Sequence, residues 1–310
     1  MGATHRSIRG SIPGIGAVII ALLLNTGSIA AQELEPRAYS PSPTRTTFIA
    51  LTATRSAGGV FTDPSVPLTD VEAELGVFGL GIGHSFALLG KSALVLGFVP
   101  ITWATARGQI GEDRRETSRR GLADPRVKLS MILAGSKPMT PADFARAPRR
   151  TIVGASLTVV PPIGQYDPTK LINLGSNRWS FKPEVGVSIP VQRWTFDTYA
   201  ALWVFTDNDR YYPGHAFRQQ DTVVALQAHV SYTLFRRAWL AGDVTWYGGG
   251  QSTVEGAVTS DPFHNTRLGG TLAVPIGTRQ SVKLAYSDGA ATRLGADFTT
   301  ITVGWQVVIF

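Results

Sequence analysis

Residues 222–234 read TVVALQAHVSYTL, and this stretch indicates a β-strand with two different faces. One face carries the apolar and aromatic side chains Val224, Leu226, Ala228, Val230, Tyr232 and Leu234. The other face carries Ala225, Gln227, His229, Ser231 and Thr233. Because successive side chains of a strand point to opposite sides of a sheet, the alternation predicts one apolar surface and one wetter surface.

The same alternation recurs in segments of about ten residues, which is the length of a tilted strand that crosses a membrane. The last segment, for example, sets Ile301, Val303 and Trp305 against Thr300 and Thr302. The predicted strands cover residues 44–54, 71–83, 92–106, 123–133, 150–160, 179–189, 193–205, 222–234, 237–247, 266–274, 279–287 and 298–309. They predict an all-β fold, an antiparallel transmembrane barrel of about 12 strands. A soluble β-sandwich alternates in the same way, so other features must separate the two folds.

The composition favours the membrane. Apolar residues make up 44% of the chain and charged residues only 16%, whereas a soluble domain has about 25% charged residues. After the N-terminus no apolar run is long enough to cross a bilayer as a helix. In hydrocarbon every backbone group must be hydrogen-bonded, and only helices and closed sheets achieve this. With no cysteine in the chain, disulfides and thiolate chemistry are excluded.

The connections between the predicted strands favour the barrel over the sandwich. Residues 190–192, 235–236 and 275–278 are tight joins, whereas residues 161–178, 207–221 and 248–265 are long, polar joins. Outer-membrane barrels have short periplasmic turns and longer external loops, and an even strand number places both termini in the periplasm. One join breaks the alternation: residues 134–149 are long where a short turn is expected, and residues 141–146 in it are predicted to be a short helix.

The two ends of the chain have features expected of an exported barrel. Arg6 and Arg9 precede an uncharged apolar run at residues 12–24, and the small residues Ala30 and Ala31 follow it. This order is typical of a secretory signal peptide, and the run is short for a spanning helix of about 20 residues. We predict a signal peptide at residues 1–31, an N-terminal periplasmic segment at 32–43 and a transmembrane β-barrel at 44–310. The C-terminal Phe310 suits recognition by barrel-assembly machinery, although it is out of phase with the apolar face of the last strand.

Tryptophan side chains occur near the predicted strand ends. Trp103, Trp179, Trp203 and Trp246 fall near the outer ends, and Trp194 and Trp239 fall near the inner ends. Amphipathic rings prefer the headgroup level of a membrane, so this placement predicts two aromatic girdles.

The polar strand faces are expected to line the lumen, because Arg or Lys on the lipid face costs about 2–4 kcal/mol near the midplane. The side chains predicted to line the lumen and a substrate path are Arg126, Lys128, Lys182, Glu184, Asp197, Tyr199, His229, Asp243 and Arg267. The same parity argument places Glu72, Glu74 and Lys283 in the interior. Such residues suit either an ion-pair network that fills the barrel or a polar path for a small solute.

Enzyme and nucleic-acid signatures are weak in this sequence. His229 and Ser231 share a strand face, but that spacing does not establish a nucleophile and its base, and the chain has neither a GxSxG elbow nor an HExxH motif. The net charge of +7 comes from arginines scattered through the connections rather than from one basic patch. The sequence therefore predicts no catalytic residue, no metal, no cofactor and no nucleic-acid partner.

Three short motifs resemble a known family. GLADPR at residues 121–126, PPIGQY at 161–166 and NLGSNR at 173–178 are similar to turn motifs of the outer-membrane transporter family named for the meta-pathway of phenol degradation. Ala123 stands where the family has a glycine, and Ile163 interrupts the proline–glycine pair. The resemblance implies a barrel that works in transport, and it does not define the substrate.

We therefore predict an outer-membrane channel or transporter for small molecules, aromatic and amphipathic ones included. The expected partners are a small solute, outer-membrane lipids, lipopolysaccharide and the outer-membrane assembly machinery. Two alternatives stay open at this point: an outer-membrane lipid-modifying enzyme, and a structural or adhesive barrel without transport. A Ser/His/acid group at the lipid boundary would favour the enzyme, and a lumen filled from end to end would favour the structural barrel.

Overall fold

The computed structural model describes residues 35–61, 68–110, 113–170, 172–212, 214–235, 237–260, 262–292 and 295–309. The predicted signal peptide and Phe310 lie outside these residues. The described strands are β1 (Thr47–Phe61), β2 (Leu68–Leu88), β3 (Lys91–Ile110), β4 (Asp113–Leu122), β5 (Arg126–Ala134), β6 (Ile152–Val160), β7 (Ser180–Val191), β8 (Trp194–Phe205), β9 (Asn208–Tyr211), β10 (Ala216–Gln220), β11 (Val223–Thr233), β12 (Trp239–Gly249), β13 (Ser252–Val254), β14 (Ala257–Ser260), β15 (Phe263–Ile276), β16 (Gln280–Ala291) and β17 (Gly295–Ile309). A short helix, α1 (Pro141–Arg146), precedes β6.

Thirteen of the described strands form one antiparallel sheet that closes into a barrel. β1 pairs with β2 on one side and with β17 on the other, so the first and last strands seal the wall. β4 and β5 both pair with β3 and together form one interrupted crossing. The described sheet therefore crosses 12 times, which confirms the predicted all-β, antiparallel barrel. Among the described strands, the pairing of β1 with β17 closes the sheet, so that the backbone of the crossings is hydrogen-bonded as hydrocarbon requires.

The connections sort to two ends of the barrel as predicted. Residues 89–90, 192–193, 234–235, 237–238 and 277–279 lie at one end, which we call the turn end. The long connections lie at the other end, which we call the loop end. The long join at the turn end contains α1, as expected from the sequence, and the backbone nitrogen of Asp143 donates to the Thr140 hydroxyl at its N-cap. Among the described residues, no helix has the length and apolar character needed to cross a membrane.

The outer face of the barrel is covered by exposed apolar side chains. Phe78, Leu80 and Ile82 project outward from β2, and Leu226 and Val230 do so from β11. Such a continuous apolar surface on a closed sheet is the surface that a bilayer covers. The predicted lipid-facing parity of these strands is confirmed, and the fold is that of a bacterial outer-membrane barrel.

The loop end has structure that the sequence did not predict. The connections before β11 and before β15 fold into a second, four-stranded sheet with the order β14-β13-β10-β9. The connection between β6 and β7 crosses the mouth of the barrel, and its Ile172 is buried against Val60, Val71 and Phe298 of the opposite wall. The loop end of the lumen is therefore covered by folded, buried chain.

Candidate functional site in the barrel lumen

One half of the lumen is a wall of buried polar side chains. In β7 and β8 every second residue is buried, and the residues between them are exposed on the outside. The structure places all nine residues predicted to line the lumen on the inward side. The buried ones are Lys182, Glu184, Asp197, Tyr199, His229, Asp243 and Arg267, and the half-buried ones are Arg126 and Lys128. Their part in a substrate path stays a prediction.

Ion pairs connect this wall to the segment that precedes β1. Lys182 Nζ lies 3.1 Å from Glu184 Oε2, and Lys128 Nζ lies 3.8 Å from Glu184 Oε1. Lys128 Nζ also lies 2.6 Å from Glu35 Oε2. Alternating signs keep each of these buried charges beside an opposite one, which offsets the cost of removing them from water.

Residues 35–40 contact the inner wall of the barrel, although the sequence analysis assigned them to a periplasmic segment ahead of it. The backbone nitrogen of Arg37 donates to Asp197 Oδ2 at 3.2 Å, and that of Ala38 donates to the Tyr199 hydroxyl at 3.1 Å. Residues 36–39 form turns, and their remaining backbone donors find polar partners on the wall, which a segment in the periplasm would find in water.

The Arg37 side chain is also held by the wall. Its Nε donates to Ser231 Oγ at 2.8 Å and its Nη2 to Thr233 Oγ1 at 2.9 Å, while the guanidinium lies 4.9 Å from the centre of the Trp239 ring. Ser231 shares a strand face with His229, but its hydroxyl accepts a hydrogen bond from Arg37. This contact is structural in kind and does not resemble a nucleophile with its base.

Tyr39 is the most enclosed residue of the N-terminal segment, with 1% of its surface exposed. Its hydroxyl donates to Glu184 Oε1 at 3.0 Å, and its ring meets the Tyr199 ring edge-on at 5.3 Å. Ile132 and Ile152 complete its apolar surroundings. Tyr39 therefore anchors the segment through both its ring and its hydroxyl.

A second buried network lies on β11, β12 and β15. His229 Nδ1 lies 2.7 Å from Asp243 Oδ1, and Thr271 Oγ1 donates to Asp243 Oδ2 at 2.9 Å. Neither the His229 nor the Asp243 side chain is exposed. Both carboxylate oxygens of Asp243 thus have a partner, and the cluster ties three adjacent strands together, while His229 Nε2 is buried without a hydrogen-bond partner among the described residues.

The other half of the lumen encloses an open cavity of about 770 Å³. Apolar side chains of β1, β2 and β3 line it, among them Phe48, Leu75, Leu96 and Phe98. Small polar residues of β1 and β17, such as Thr52, Thr54, Thr300 and Thr302, line it as well. The lumen is thus divided into a packed polar half and a hollow, mainly apolar half.

Arg267 and Arg126 are bound at different places on the inner wall. Arg267 Nη2 donates to the backbone oxygen of Phe298 at 2.6 Å. The Arg126 guanidinium lies 4.7 Å from the centre of the Phe98 ring and borders the cavity. Arg126, which the sequence predicts to line the lumen, therefore belongs to its hollow half.

Two acidic residues predicted to be interior are on the outside. Glu72 and Glu74 are exposed, and Glu74 Oε1 forms a 2.9 Å ion pair with Arg55 on the outer face of β1. Both have the parity of the outward-facing Phe78 and Leu80, so the interior placement was wrong. Their charge is accommodated because they lie towards the loop end, beyond the apolar residues of β2.

The predicted tryptophan girdles are only partly formed by outward side chains. Trp103, Trp179 and Trp194 are exposed on the outer face, in agreement with a girdle. Trp203 instead is buried inside, with Lys182 Nζ 5.6 Å from its ring centre, and Trp239 lines the cavity. Position along a strand places a side chain at a membrane level, but the parity of the strand decides which side it faces.

The three motifs that resemble the family meet at one junction at the loop end. Asp124 Oδ1 accepts a 2.8 Å hydrogen bond from the backbone nitrogen of Gly164, and Asp124 Oδ2 accepts two 2.7 Å bonds from Ser176. Gly175 packs so closely that an added Cβ would lie 2.8 Å from the Gly164 backbone. GLADPR, PPIGQY and NLGSNR are therefore parts of one structural unit that fastens the connection across the mouth.

Two buried arginines lie beside this junction. The Arg178 guanidinium lies 4.1 Å from the centre of the Phe205 ring, and its Nη2 donates to Gln220 Oε1 at 2.6 Å. Arg218 Nη2 donates to Ser252 Oγ at 3.1 Å. Burial, and next the nearby Arg218, lower the pKa of Arg178 well below its usual value. Aromatic, amide and hydroxyl groups thus contact the guanidinium groups of both arginines in this cap.

The profile of one protein family, described as "Putative MetA-pathway of phenol degradation", matches residues 54–301. The chain belongs to this family. The matched residues run from β1 to β17 and include the whole junction around Asp124, so the predicted family is confirmed.

One solved structure shares the fold of this family member, and two others match it less closely. The COG4313 outer membrane channel from Pseudomonas putida F1 is 18% identical, with 89% of this chain and 100% of that chain covered and a TM-score of 0.75. The transport unit of the autotransporter AIDA-I from Escherichia coli is 9% identical, with 96% and 97% coverage and a TM-score of 0.47. A FadL homologue from Pseudomonas aeruginosa is 10% identical, with 85% and 89% coverage and a TM-score of 0.39. No curated protein matches the chain.

Several lumen residues of this family member were not predicted as part of the site. Glu35, Arg37 and Tyr39 precede the first strand, and no sequence pattern signals that they enter the barrel. Phe48 and Phe98 have the inward parity of their strands, so the alternation by itself identifies them. The apolar lining of the cavity is thus signalled by strand parity and not by charge.

Proposed function

We propose that this protein is an outer-membrane channel for small apolar and amphipathic molecules. The observation that carries the proposal is the cavity of about 770 Å³ inside a closed barrel, lined largely by apolar side chains. Cavities of that size hold drug-sized molecules, and an apolar lining gains free energy by covering apolar surface of a ligand. The polar wall on the other side is closely packed, with residues such as Ser231, Thr245 and Thr271 fully buried, and leaves a small molecule less room.

Family membership supports transport, because the fold and the family are those of outer-membrane proteins. We further propose that the loop end faces the outside of the cell, that residues 1–31 are removed on export, and that residues 32–43 continue into the barrel from the periplasmic side. Outer-membrane lipids and lipopolysaccharide would then cover the apolar outer face, and assembly machinery would insert the chain. The charge on Glu74 and Arg55 suits the headgroup level at the loop end.

A channel that works through the cavity is blocked when the cavity is filled. Ala285 lines the cavity on β16, whereas Ala290 is exposed near the loop end of the same strand. We expect Ala285→Trp to abolish uptake of small labelled aromatic and aliphatic compounds by cells that depend on this protein, and Ala290→Trp to leave uptake unchanged. Equal uptake by both variants, at equal outer-membrane levels, would show that solutes do not pass through the cavity.

A further inference from the structure

We infer that the turn end of the barrel binds an anionic phospholipid, whose phosphate is held by exposed arginines next to the outward aromatic residues of β8 and β11. This surface lies on the outside of the barrel and is separate from the cavity. Lipid binding there is therefore independent of whether solutes pass through the lumen.

The positive charge of the chain is concentrated at the turn end. Residues 41–46, 89–91, 135–151, 192–193, 234–238 and 277–279 lie at this end, and their sequences contain ten Lys and Arg residues and one acid, Asp143. The rest of the chain contains 19 basic and 21 acidic residues. The arginines are scattered along the sequence, but closure of the barrel gathers the connections that carry them at one end. That end therefore attracts anions.

Three arginines come together where β6, β7 and β8 meet the turn end. Arg149 Nη1 donates to the backbone oxygen of Gln192 at 3.0 Å, and Arg149 Nη2 donates to Thr195 Oγ1 at 2.5 Å. Arg193 directly follows Gln192, Arg150 directly follows Arg149, and all three arginines are exposed. The groups that hold Arg149 are neutral, so its positive charge adds to the charges of Arg150 and Arg193.

A wall carboxylate near these arginines faces the lumen. Asp197 is 1% exposed on the inner side of β8, where it accepts a 3.2 Å hydrogen bond from the backbone nitrogen of Arg37. Asp197 attracts the Arg37 side chain, and Arg149 repels it. The charge of Asp197 is thus used inside the barrel, whereas Arg150 and Arg193 are at the outer rim, where a lipid phosphate can approach them.

Aromatic rings lie beside these arginines on the outer face. Trp194 directly follows Arg193 and is 44% exposed, and its ring meets the Tyr232 ring edge-on at 4.7 Å. Phe235, in the turn that follows β11, is 74% exposed. Because Trp and Tyr rings prefer the headgroup level of a bilayer, this pair places Arg193 at the level of the lipid phosphates.

The outer surface continues from these rings into the apolar belt of the barrel. Phe196 and Val230 pair in register on the outer face, and both are exposed. Ile189 pairs with Phe196, and Leu240 pairs with Tyr232, so apolar side chains extend to the strands on both sides. Acyl chains can cover this surface while the headgroup of the same lipid meets the arginines.

The arginines favour a phospholipid with a net negative charge. A guanidinium presents parallel N–H donors that match phosphate oxygens, and each Lys or Arg near an anionic lipid surface is worth about 1 kcal/mol. The ammonium group of a zwitterionic headgroup would be repelled. Since we propose that the loop end faces the outside of the cell, the turn end meets the periplasmic leaflet, and phosphatidylglycerol is the ligand to which the proposal commits.

The test compares two lipids that have the same acyl chains. Dimyristoylphosphatidylglycerol and dimyristoylphosphatidylcholine would be titrated into the full protein in nonionic detergent, and the lipid-bound fraction would be followed by native mass spectrometry. We expect phosphatidylglycerol to bind about tenfold more tightly than phosphatidylcholine, and higher ionic strength should narrow this difference. Inorganic phosphate should not compete, because it has no acyl chains to cover the apolar belt.

A double variant and a matched control locate the site. Arg150→Gln with Arg193→Gln should reduce the preference for phosphatidylglycerol to about twofold. Arg114→Gln with Arg115→Gln removes the same charge from exposed residues of β4 and should leave the preference unchanged. These two controls pair in register with Gln109 and Gly108, which places them about 17–20 Å beyond Trp103 on the loop end.

The aromatic residue next to the arginines gives a second readout. Trp194→Leu should weaken the binding of both lipids about threefold and keep the preference between them, because the ring contacts the part that the two lipids share. Trp179→Leu is the control, since Trp179 is exposed on the outer face at the loop end. Unchanged binding of both lipids to Trp194→Leu would place the site elsewhere and overturn the assignment.

The unchanged protein decides the lipid class without any variant. Equal affinity for the two lipids, or competition by inorganic phosphate, would overturn the proposal and leave the basic turn end to a soluble anion or an acidic protein partner. A preference that survives loss of Arg150 and Arg193, in protein that migrates as a folded barrel, would also overturn it. A preference lost in this double variant and kept in the Arg114 and Arg115 control supports a phospholipid site at the turn end.

Discussion

Asp124 and Ser176 are joined by two hydrogen bonds, since one carboxylate oxygen of Asp124 accepts from both the backbone nitrogen and the hydroxyl of Ser176 at 2.7 Å. Asp124 lies in the interruption between β4 and β5, and Ser176 lies 52 residues later in the connection that crosses the mouth of the barrel. The other carboxylate oxygen of Asp124 accepts a hydrogen bond from the backbone nitrogen of Gly164. One carboxylate thus holds a long connection in its folded position over the lumen.

Asp124→Ala should free this connection, because three backbone or hydroxyl donors lose their acceptor together. We expect a loss of about 2–3 kcal/mol in unfolding free energy and faster proteolysis between β6 and β7. Limited trypsin digestion of the protein in detergent, combined with urea unfolding, measures both effects. Asp209→Ala is the control, since Asp209 is exposed in the loop-end sheet. Identical digestion of the two variants would contradict a fastening role for Asp124.

The His229–Asp243–Thr271 cluster should contribute to the stability of the barrel rather than to a reaction. Asp243→Ala leaves the buried His229 Nδ1 and the Thr271 hydroxyl without their acceptor, and we expect a destabilisation of about 3 kcal/mol. Thr271→Val removes only one hydrogen bond and should cost about 1 kcal/mol. Urea unfolding in lipid vesicles measures both changes. A larger loss of unfolding free energy for Thr271→Val than for Asp243→Ala would contradict the stabilising role given to the Asp243 carboxylate.

Lys182→Gln and Asp197→Asn are both expected to alter selectivity for charged solutes while the barrel stays folded. The distance between the two residues decides what is expected of the double variant. Asp197 pairs in register with Ser188, and six strand residues, or about 20 Å, separate Ser188 from Lys182. At that distance the two effects should be additive, whereas Lys182→Gln and Glu184→Gln should be non-additive because their charges are 3.1 Å apart. Flux of charged solutes into vesicles distinguishes additive from non-additive effects. Unchanged flux in every variant would show that this polar wall only packs the lumen and does not affect which solutes pass.

The N-terminal segment should restrict passage of hydrophilic solutes through the polar half of the lumen. Arg37→Ala removes two hydrogen bonds to the wall, and Tyr39→Ala removes the most buried anchor of the segment. We expect each variant to admit small sugars into vesicles faster than the unchanged protein. Arg45→Ala is a suitable control, because Arg45 is exposed just before β1. No increase in sugar entry for Tyr39→Ala would show that the segment does not limit the lumen.

The orientation of the barrel can be determined by labelling single introduced cysteines, because the chain has no cysteine of its own. Glu116→Cys and Asp209→Cys place a thiol on exposed residues at the loop end, and Gln192→Cys places one at the turn end. Impermeant maleimide on whole cells should label the first two and not the third. The reverse labelling pattern would place the loop end in the periplasm.

The barrel could be predicted from the sequence because its main signal is local. Alternation in a strand such as β11 reflects the geometry of successive residues, and a closed sheet between lipid and lumen imposes it on every crossing. The inward positions of His229 and Asp197 follow from the same signal. Glu72 and Glu74 were misplaced because their charge was given more weight than their parity with Phe78 and Leu80.

What the sequence by itself determined about this protein is the family, the number of crossings and the side that most strand residues face. Only the tertiary structure decided which of those residues meet. The 2.6 Å pair of Lys128 with Glu35 and the contact of Tyr39 with Glu184 join positions far apart in the chain. The physical reason is that periodicity describes one strand at a time, whereas the filling of a lumen depends on side chains brought together by closure of the whole sheet.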